Sequence, residues 1–125
     1  MSERYKKSET LLERALRVIP LGSQTFSKSK TQYPFGVSPY FIVRGKGSRV
    51  WDADGNEYID LVMGHGALLL GHARPEVVAA VQQQVAKGSH YGAGSELEIR
   101  WGQLVQRLIP SAERVRVTSS GTEAT

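Results

Sequence analysis

The sequence predicts an α/β protein whose 125 residues are themselves α+β: one helix, a small antiparallel meander, two helices, and the first strand and turn of an alternating β/α region. Three observations predict this. Apolar side chains recur at helical spacing near the N-terminus and twice more after Pro75. From Tyr40 to Leu61 the period shortens to two, and glycine-containing turns interrupt it. The chain then closes on Val115-Arg116-Val117 followed by SSGTEAT, a strand running into a helix start.

Each element has its own local cause. Ser2 is placed to cap a helix through Tyr5, Leu12, Ala15, Leu16 and Ile19, which Pro20 and Gly22 break. GSQTFSKSKTQ (Gly22–Gln32), extended by Pro34, Gly36 and Pro39, is a long irregular stretch, and such loops in compact domains are usually functional or mobile. YFIVRGKGSRVWDADGNEYIDL reads as strands at about Phe41–Arg44, Ser48–Asp52 and Glu57–Asp60. Gly45-Lys46-Gly47 and Asp54-Gly55-Asn56 supply the two turns. VMGHGALLLGHARP is punctuated by glycine and reads as loop. Pro75 suits the first position of a helix, and Val77, Val78, Val81 and Val85 form its apolar stripe up to Gly88. After SHYGAG, Ser95-Glu96-Leu97-Glu98 is a capping box. The helix behind it is expected to bury Leu97, Trp101, Leu104, Val105, Leu108 and Ile109 before Pro110 ends it.

Composition narrows the function classes. Hydrophobic residues at 40% and charged residues at 22% place the chain among globular proteins. The net charge of +4 is scattered, with one loose cluster at Lys6, Lys7, Lys28 and Lys30, so nucleic acid is not an expected partner. With no cysteine, disulfides and thiolate metal sites are excluded. MSERYKKSETLLER lacks the apolar core of a signal peptide. The longest apolar run, Ala67 to Leu70, is too short to span a bilayer. A cytoplasmic protein without membrane contact is expected.

The terminal turn is the sharpest motif. Ser120-Gly121-Thr122 falls where helix N-terminal amides have no intrahelical acceptor. Gly121 permits close approach, and the hydroxyls of Ser119, Ser120 and Thr122 add donors. With the positive end of the helix dipole, this suits a phosphate. An ordinary N-cap, with Ser or Thr starting the helix and Glu123 complementing the dipole, accounts for the same residues. A nucleotide phosphate is a weaker reading, since no lysine follows the glycine as in a P-loop. Asp52-Ala53-Asp54-Gly55-Asn56 hints at a calcium loop, but its glycine comes too early and no glutamate closes it, so a hairpin turn is preferred. His65 and His72 lack a third zinc ligand. Gly45-Lys46-Gly47 lacks the rest of a dinucleotide fingerprint. Trp51 and Trp101 suit strand and helix core positions.

The series Ile19-Pro20-Leu21-Gly22, RGKGSRVWDADGNEYIDLV, LLLGHARPEVVAAVQQQVAKG and SELEIRWGQLVQRLIPSAERVRVTSSGTEAT resembles, in order, the N-terminal part of the class III aminotransferases. These belong to fold type I of the pyridoxal-phosphate-dependent transferases, and the likeness is greatest to glutamate-1-semialdehyde 2,1-aminomutase-like members. WDADGNEYID, LGHARPEV and SGTEAT at these separations are jointly specific. The resemblance implies that Ser120, Gly121 and Thr122 hold the 5′-phosphate of pyridoxal 5′-phosphate. It implies that residues 1–62 form the N-terminal helix, a substrate-side loop and the small-domain meander. Residues 63–125 then begin the large cofactor-binding domain.

It further implies a homodimer, with the Ser89–Ser95 loop a candidate contributor, and a small amino donor and carbonyl acceptor as substrates. Gly22, Thr25, Lys28 and His65 would line the substrate pocket. The aminomutase has serine and arginine where Thr25 and Lys28 stand, and tryptophan where His65 stands. Exchanging a planar guanidinium fork for a point charge is not conservative, which points to a different carbonyl substrate. Lys28 can equally be a solvated loop charge, and His65 can be a satisfied structural histidine.

The family's lysine, which binds the cofactor as a Schiff base, is expected beyond the chain end; none of Lys6, Lys7, Lys28, Lys30, Lys46 or Lys87 matches it. No catalytic residue and no metal ligand is therefore assigned within these residues, and the 125-residue chain alone is expected to be inactive. The expected function is the N-terminal portion of an aminotransferase or aminomutase. The alternative is a non-catalytic phosphate-binding, dimerisation or complementing fragment.

Overall fold

The computed structural model describes residues 3–34 and 36–125, so Ser2, the expected cap, lies outside the described residues. A single 3-10 turn, Glu3–Tyr5, leads into the helix α1 (Lys6–Leu16). No neighbouring side chain caps α1. The carboxylate of Asp54 does so from the far side of a hairpin, accepting the Lys7 amide at 2.6 Å, the Ser8 amide at 2.9 Å and the Ser8 hydroxyl at 2.6 Å. An anion at the amide end of a helix satisfies orphan donors and opposes the macrodipole. Burial pushes the Asp54 carboxyl up, but the Ser8 hydroxyl and the Lys7 and Ser8 amides together hold it below its ordinary value of 3.8. Ile19, expected inside the helix, lies beyond its end, where its amide donates to the Ala15 carbonyl at 2.7 Å. A tight turn at Pro20–Gly22 follows, with Leu21 at φ 59° and Gly22 at φ 76°.

The meander forms as expected. Strands β1 (Ile42–Lys46), β2 (Arg49–Asp52) and β3 (Glu57–Ile59) pair antiparallel in the order β1-β2-β3. The first reversal is tighter than the sequence suggests. Gly45 and Lys46 remain in the ladder opposite Val50 and Arg49, so the chain turns at Gly47 and Ser48. Asp52 organises the second reversal. It is 1% exposed, and its carboxylate accepts the amides of Asp54 (3.0 Å) and Asn56 (2.8 Å), the Asn56 carboxamide (2.9 Å) and the Tyr58 hydroxyl (2.8 Å). The acidic pair that hints at calcium is thus engaged, Asp52 in the turn and Asp54 on α1. Burial, then hydrogen bonds to Tyr5 and Asp52, push the Tyr58 hydroxyl up from its ordinary pKa.

The buried centre of this region is small: Tyr5, Leu12, Ala15 and Val50, with Ser8, Glu9, Ser29 and Asp52 as buried polar residues. Tyr5 donates to the Val37 carbonyl at 3.1 Å, which ties the loop before β1 to the core. Trp51 is half-buried, with the Arg44 guanidinium 3.7 Å above its ring.

Internal contacts divide the chain into two units, Met1–Val81 and Gln82–Thr125, which are described separately. Helix α2 (Pro75–Val85) begins at the expected proline. Beyond it the Tyr91 hydroxyl lies 2.9 Å from the Lys87 carbonyl and 3.0 Å from that of Gly88. Helix α3 (Glu96–Leu108) carries the expected capping box. The Ser95 hydroxyl accepts the Leu97 amide at 3.3 Å, and the Ser95 amide donates to Glu98 at 3.1 Å.

Two expectations are corrected here. The α3 stripe is not buried: Leu97, Trp101 and Leu104 are 43 to 46% exposed, Ile109 and Leu108 more so, and Val105 is half-buried. Val77, Val78, Val81 and Val85 of α2 are likewise 40 to 60% exposed. An amphipathic helix buries its stripe only against another layer, and among the described residues none covers these faces. Val115 to Thr118 is not a strand, because no neighbouring strand among the described residues completes its hydrogen bonds. Among the described residues, no helix is long and apolar enough to cross a membrane.

Candidate functional site

The terminal turn is built by its own side chains. Ser120 is extended (φ −152°, ψ 159°) and precedes a single-turn helix, α4 (Gly121–Ala124). Its hydroxyl oxygen accepts the Glu123 amide at 3.3 Å, while the Glu123 carboxylate accepts the Ser119 amide at 2.9 Å. The N-cap reading is therefore realised. It also leaves the phosphate chemistry open. The amides of Gly121 and Thr122 occupy the first two helical positions, where no intrahelical acceptor exists. The Ser120 hydroxyl keeps its proton, and Ser119 to Thr122 are exposed. A Cβ added to Gly121 would meet nothing within 4 Å. The open amides and hydroxyl suit an oxyanion; the Glu123 carboxylate is the one feature that opposes it.

The proposed substrate-side residues lie in the first unit. Gly22 is held against α1, where an added Cβ would stand 2.8 Å from Leu12 Cδ1, so glycine serves close packing as well as the left-handed φ. Thr25 precedes a short 3-10 turn, Phe26–Lys28, whose Lys28 amide donates to the Thr25 carbonyl at 3.1 Å. Lys28 is exposed and forms no ion pair among the described residues. His65 is also exposed and sits at φ 56° in a run of left-handed residues: Met63 (46°), Gly64 (61°), His65 and Gly66 (89°). No hydrogen bond or ion pair joins Thr25, Lys28 and His65 side chains to one another among the described residues.

Sequence reasoning missed the polar centre beside that turn. Asp60 Oδ2 lies 2.6 Å from His72 Nε2, and Asp60 Oδ1 accepts the amides of Val62 (2.9 Å) and Met63 (3.0 Å). The His72 hydrogen bond first, then the Met63 amide, hold the Asp60 carboxyl below its ordinary range, against the upward pull of burial. The His72 backbone exchanges two hydrogen bonds with Gly47, at 2.9 and 2.8 Å. Its ring lies over Gly45, where an added Cβ would fall 2.5 Å from Cγ. The signals were present: an aspartate just after β3, and a histidine between glycine and alanine in LGHA. Their meeting across twelve residues was not visible. Glu9 Oε1 and the Tyr40 hydroxyl are buried without hydrogen-bond partners, and Tyr40 is raised by burial and by the Glu9 charge. Among the described residues, no group of three acidic or histidine side chains could hold a metal.

The sequence pattern of the aminotransferase class-III family matches residues 32–125. Over its whole length the chain is 45% identical to a glutamate-1-semialdehyde 2,1-aminomutase of Desulforamulus reducens, covering 28% of that protein. An ω-transaminase from Sphaerobacter thermophilus is 37% identical and superposes with a TM-score of 0.86, over 98% of this chain and 28% of that one. A transaminase with PLP bound gives 34% identity and a TM-score of 0.87 over the same shares. The chain thus spans about 28% of the length of the relatives it matches. The neighbours are aminotransferases that share this N-terminal arrangement of helices and small antiparallel sheet, and the family is PLP-dependent. The chain belongs to the class III aminotransferases.

Proposed function

We propose that this chain supplies the cofactor-phosphate turn and part of the substrate pocket of a PLP-dependent aminotransferase or aminomutase. The observation that carries the reading is the exposed Ser120-Gly121-Thr122 turn, whose first two helical amides have no partner among the described residues and stand beside exposed hydroxyl groups. Ser120, Gly121 and Thr122 would bind the phosphate through those donors. Bound there, the cofactor supplies an electron sink for moving an amino group between carbon skeletons. Lys28 would attract an anionic substrate group as a point charge, without the directional fork of arginine. His65 offers an imidazole that donates and accepts hydrogen bonds near neutral pH. Substrates are a small amino donor and a carbonyl acceptor, handled in the cytoplasm by a homodimer. The 125-residue chain alone does not turn over, because none of its six lysines corresponds to the family's reactive lysine.

Adding pyridoxal phosphate to the intact protein tests this. A visible absorbance band that borohydride abolishes is expected. Ser120→Ala with Thr122→Ala should weaken cofactor binding about 10- to 100-fold, the loss of one or two charge-assisted hydrogen bonds. A wild-type protein that binds no cofactor, or a double variant that binds it as tightly, overturns the reading.

A further inference from the structure

We propose that Asp60 and His72 are a positioning pair for His65: they fix the left-handed turn that carries its imidazole, and so set where that ring is presented. The inference rests on the reading of His65 as a pocket residue and adds the residues through which its position is controlled.

The turn needs external support. Four consecutive residues, Met63 to Gly66, have positive φ, and two of them are not glycine. Non-glycine residues in this region persist when surrounding structure over-determines them. One oxygen of Asp60 holds both amides that open the turn, at 2.9 and 3.0 Å. The other oxygen is fixed by His72 Nε2 at 2.6 Å. His72 is itself immobilised by its two backbone bonds to Gly47 at the tip of the β1–β2 hairpin and by its packing on Gly45. A rigid sheet corner therefore holds His72, His72 orients Asp60, and Asp60 holds the turn. Within the turn itself, the His65 amide bonds only the Val62 carbonyl, at 2.9 Å, so the path from Asp60 to the imidazole is two residues long. His65 is exposed and its ring makes no hydrogen bond among the described residues, so its place depends on the backbone that carries it.

The test uses the intact protein with 13C at the histidine Cε1 positions. Asp60→Asn and His72→Leu should each displace the His65 resonance, while His72→Gln, which keeps a donor near the Nε2 place, should leave it close to wild type. His90 serves as the internal reference. A His65 resonance that stays put in Asp60→Asn and His72→Leu, with melting curves showing both folded, overturns the proposal.

A kinetic arm uses alanine as amino donor and 2-oxoglutarate as acceptor on the holoenzyme, and reads the pyruvate formed. Asp60→Asn should raise KM about tenfold with kcat within about twofold, and that effect should vanish in a His65→Ala background. An undiminished effect in that background overturns the proposal, since Asp60 would then act independently of His65. Should the wild-type protein bind no pyridoxal phosphate, the functional reading fails, and the resonance arm still decides the positioning claim.

Discussion

The meander and the two later helices solve the same physical problem in opposite ways. In the first unit, three aspartates form a scaffold of satisfied polar contacts. Asp52 closes the β2–β3 turn, Asp54 caps α1, and Asp60 ties the following turn to His72. Its apolar core is only a handful of residues. Helix α2 opens on Pro75 and α3 on its capping box, and their apolar stripes are well formed, but the stripes face no partner layer among the described residues. The lesson is that local helix signals establish that a helix exists, whereas burial of its face is a property of what packs on it.

The sharpest way to break this contrast is Asp52→Ala. It strands two amides, a carboxamide and a phenol in a nearly solvent-free site, and should cost about 3 kcal/mol, read as a fall in denaturant midpoint. Asp54→Ala comes next. Losing the α1 cap should cost about 1 to 2 kcal/mol. Its pH dependence has a definite sign. The folded carboxyl titrates below 3.8, so the cap's contribution is complete above that value and lost as pH falls through the folded pKa. Acid titrations of wild type and Asp54→Ala should therefore converge at low pH and separate toward neutrality. Ser95→Ala, which opens the α3 capping box, should cost about 1 kcal/mol and lower helical circular dichroism. Smallest is Leu108→Lys in the 125-residue chain. Leu108 is 69% exposed, so stability should shift by no more than about 0.5 kcal/mol while binding of a hydrophobic dye falls. A large loss there would mean that the α3 face is covered.

Much of this architecture could be read from residues alone. Pro75, the Ser95/Glu98 box and the alternation from Tyr40 onward were enough to place α2, α3 and the meander, because each signal lies within one turn of helix or one hairpin. The first helix was legible in existence but not in its end, which falls before Ile19, nor in the carboxylate 46 residues away that caps it. The strand at Val115 was misjudged because a strand is defined by neighbours and not by its own pattern. Of the candidate site, the Ser120 turn is chemically legible since its donors are consecutive. The role of Asp60 and His72 was not, because their carboxylate and imidazole meet only after β1 and β2 have folded into a corner.

Residue order by itself determined the helix starts, the hairpins, the composition of the terminal turn and membership of the family. Those are local preferences and chemical alphabets, and they survive without knowledge of distant neighbours. Tertiary structure alone decided which aspartate caps which helix, which histidine backs which loop, and which apolar faces remain open. Hydrogen bonds of 3 Å and buried surfaces depend on where separate stretches of chain come to rest, which no spacing along one stretch encodes.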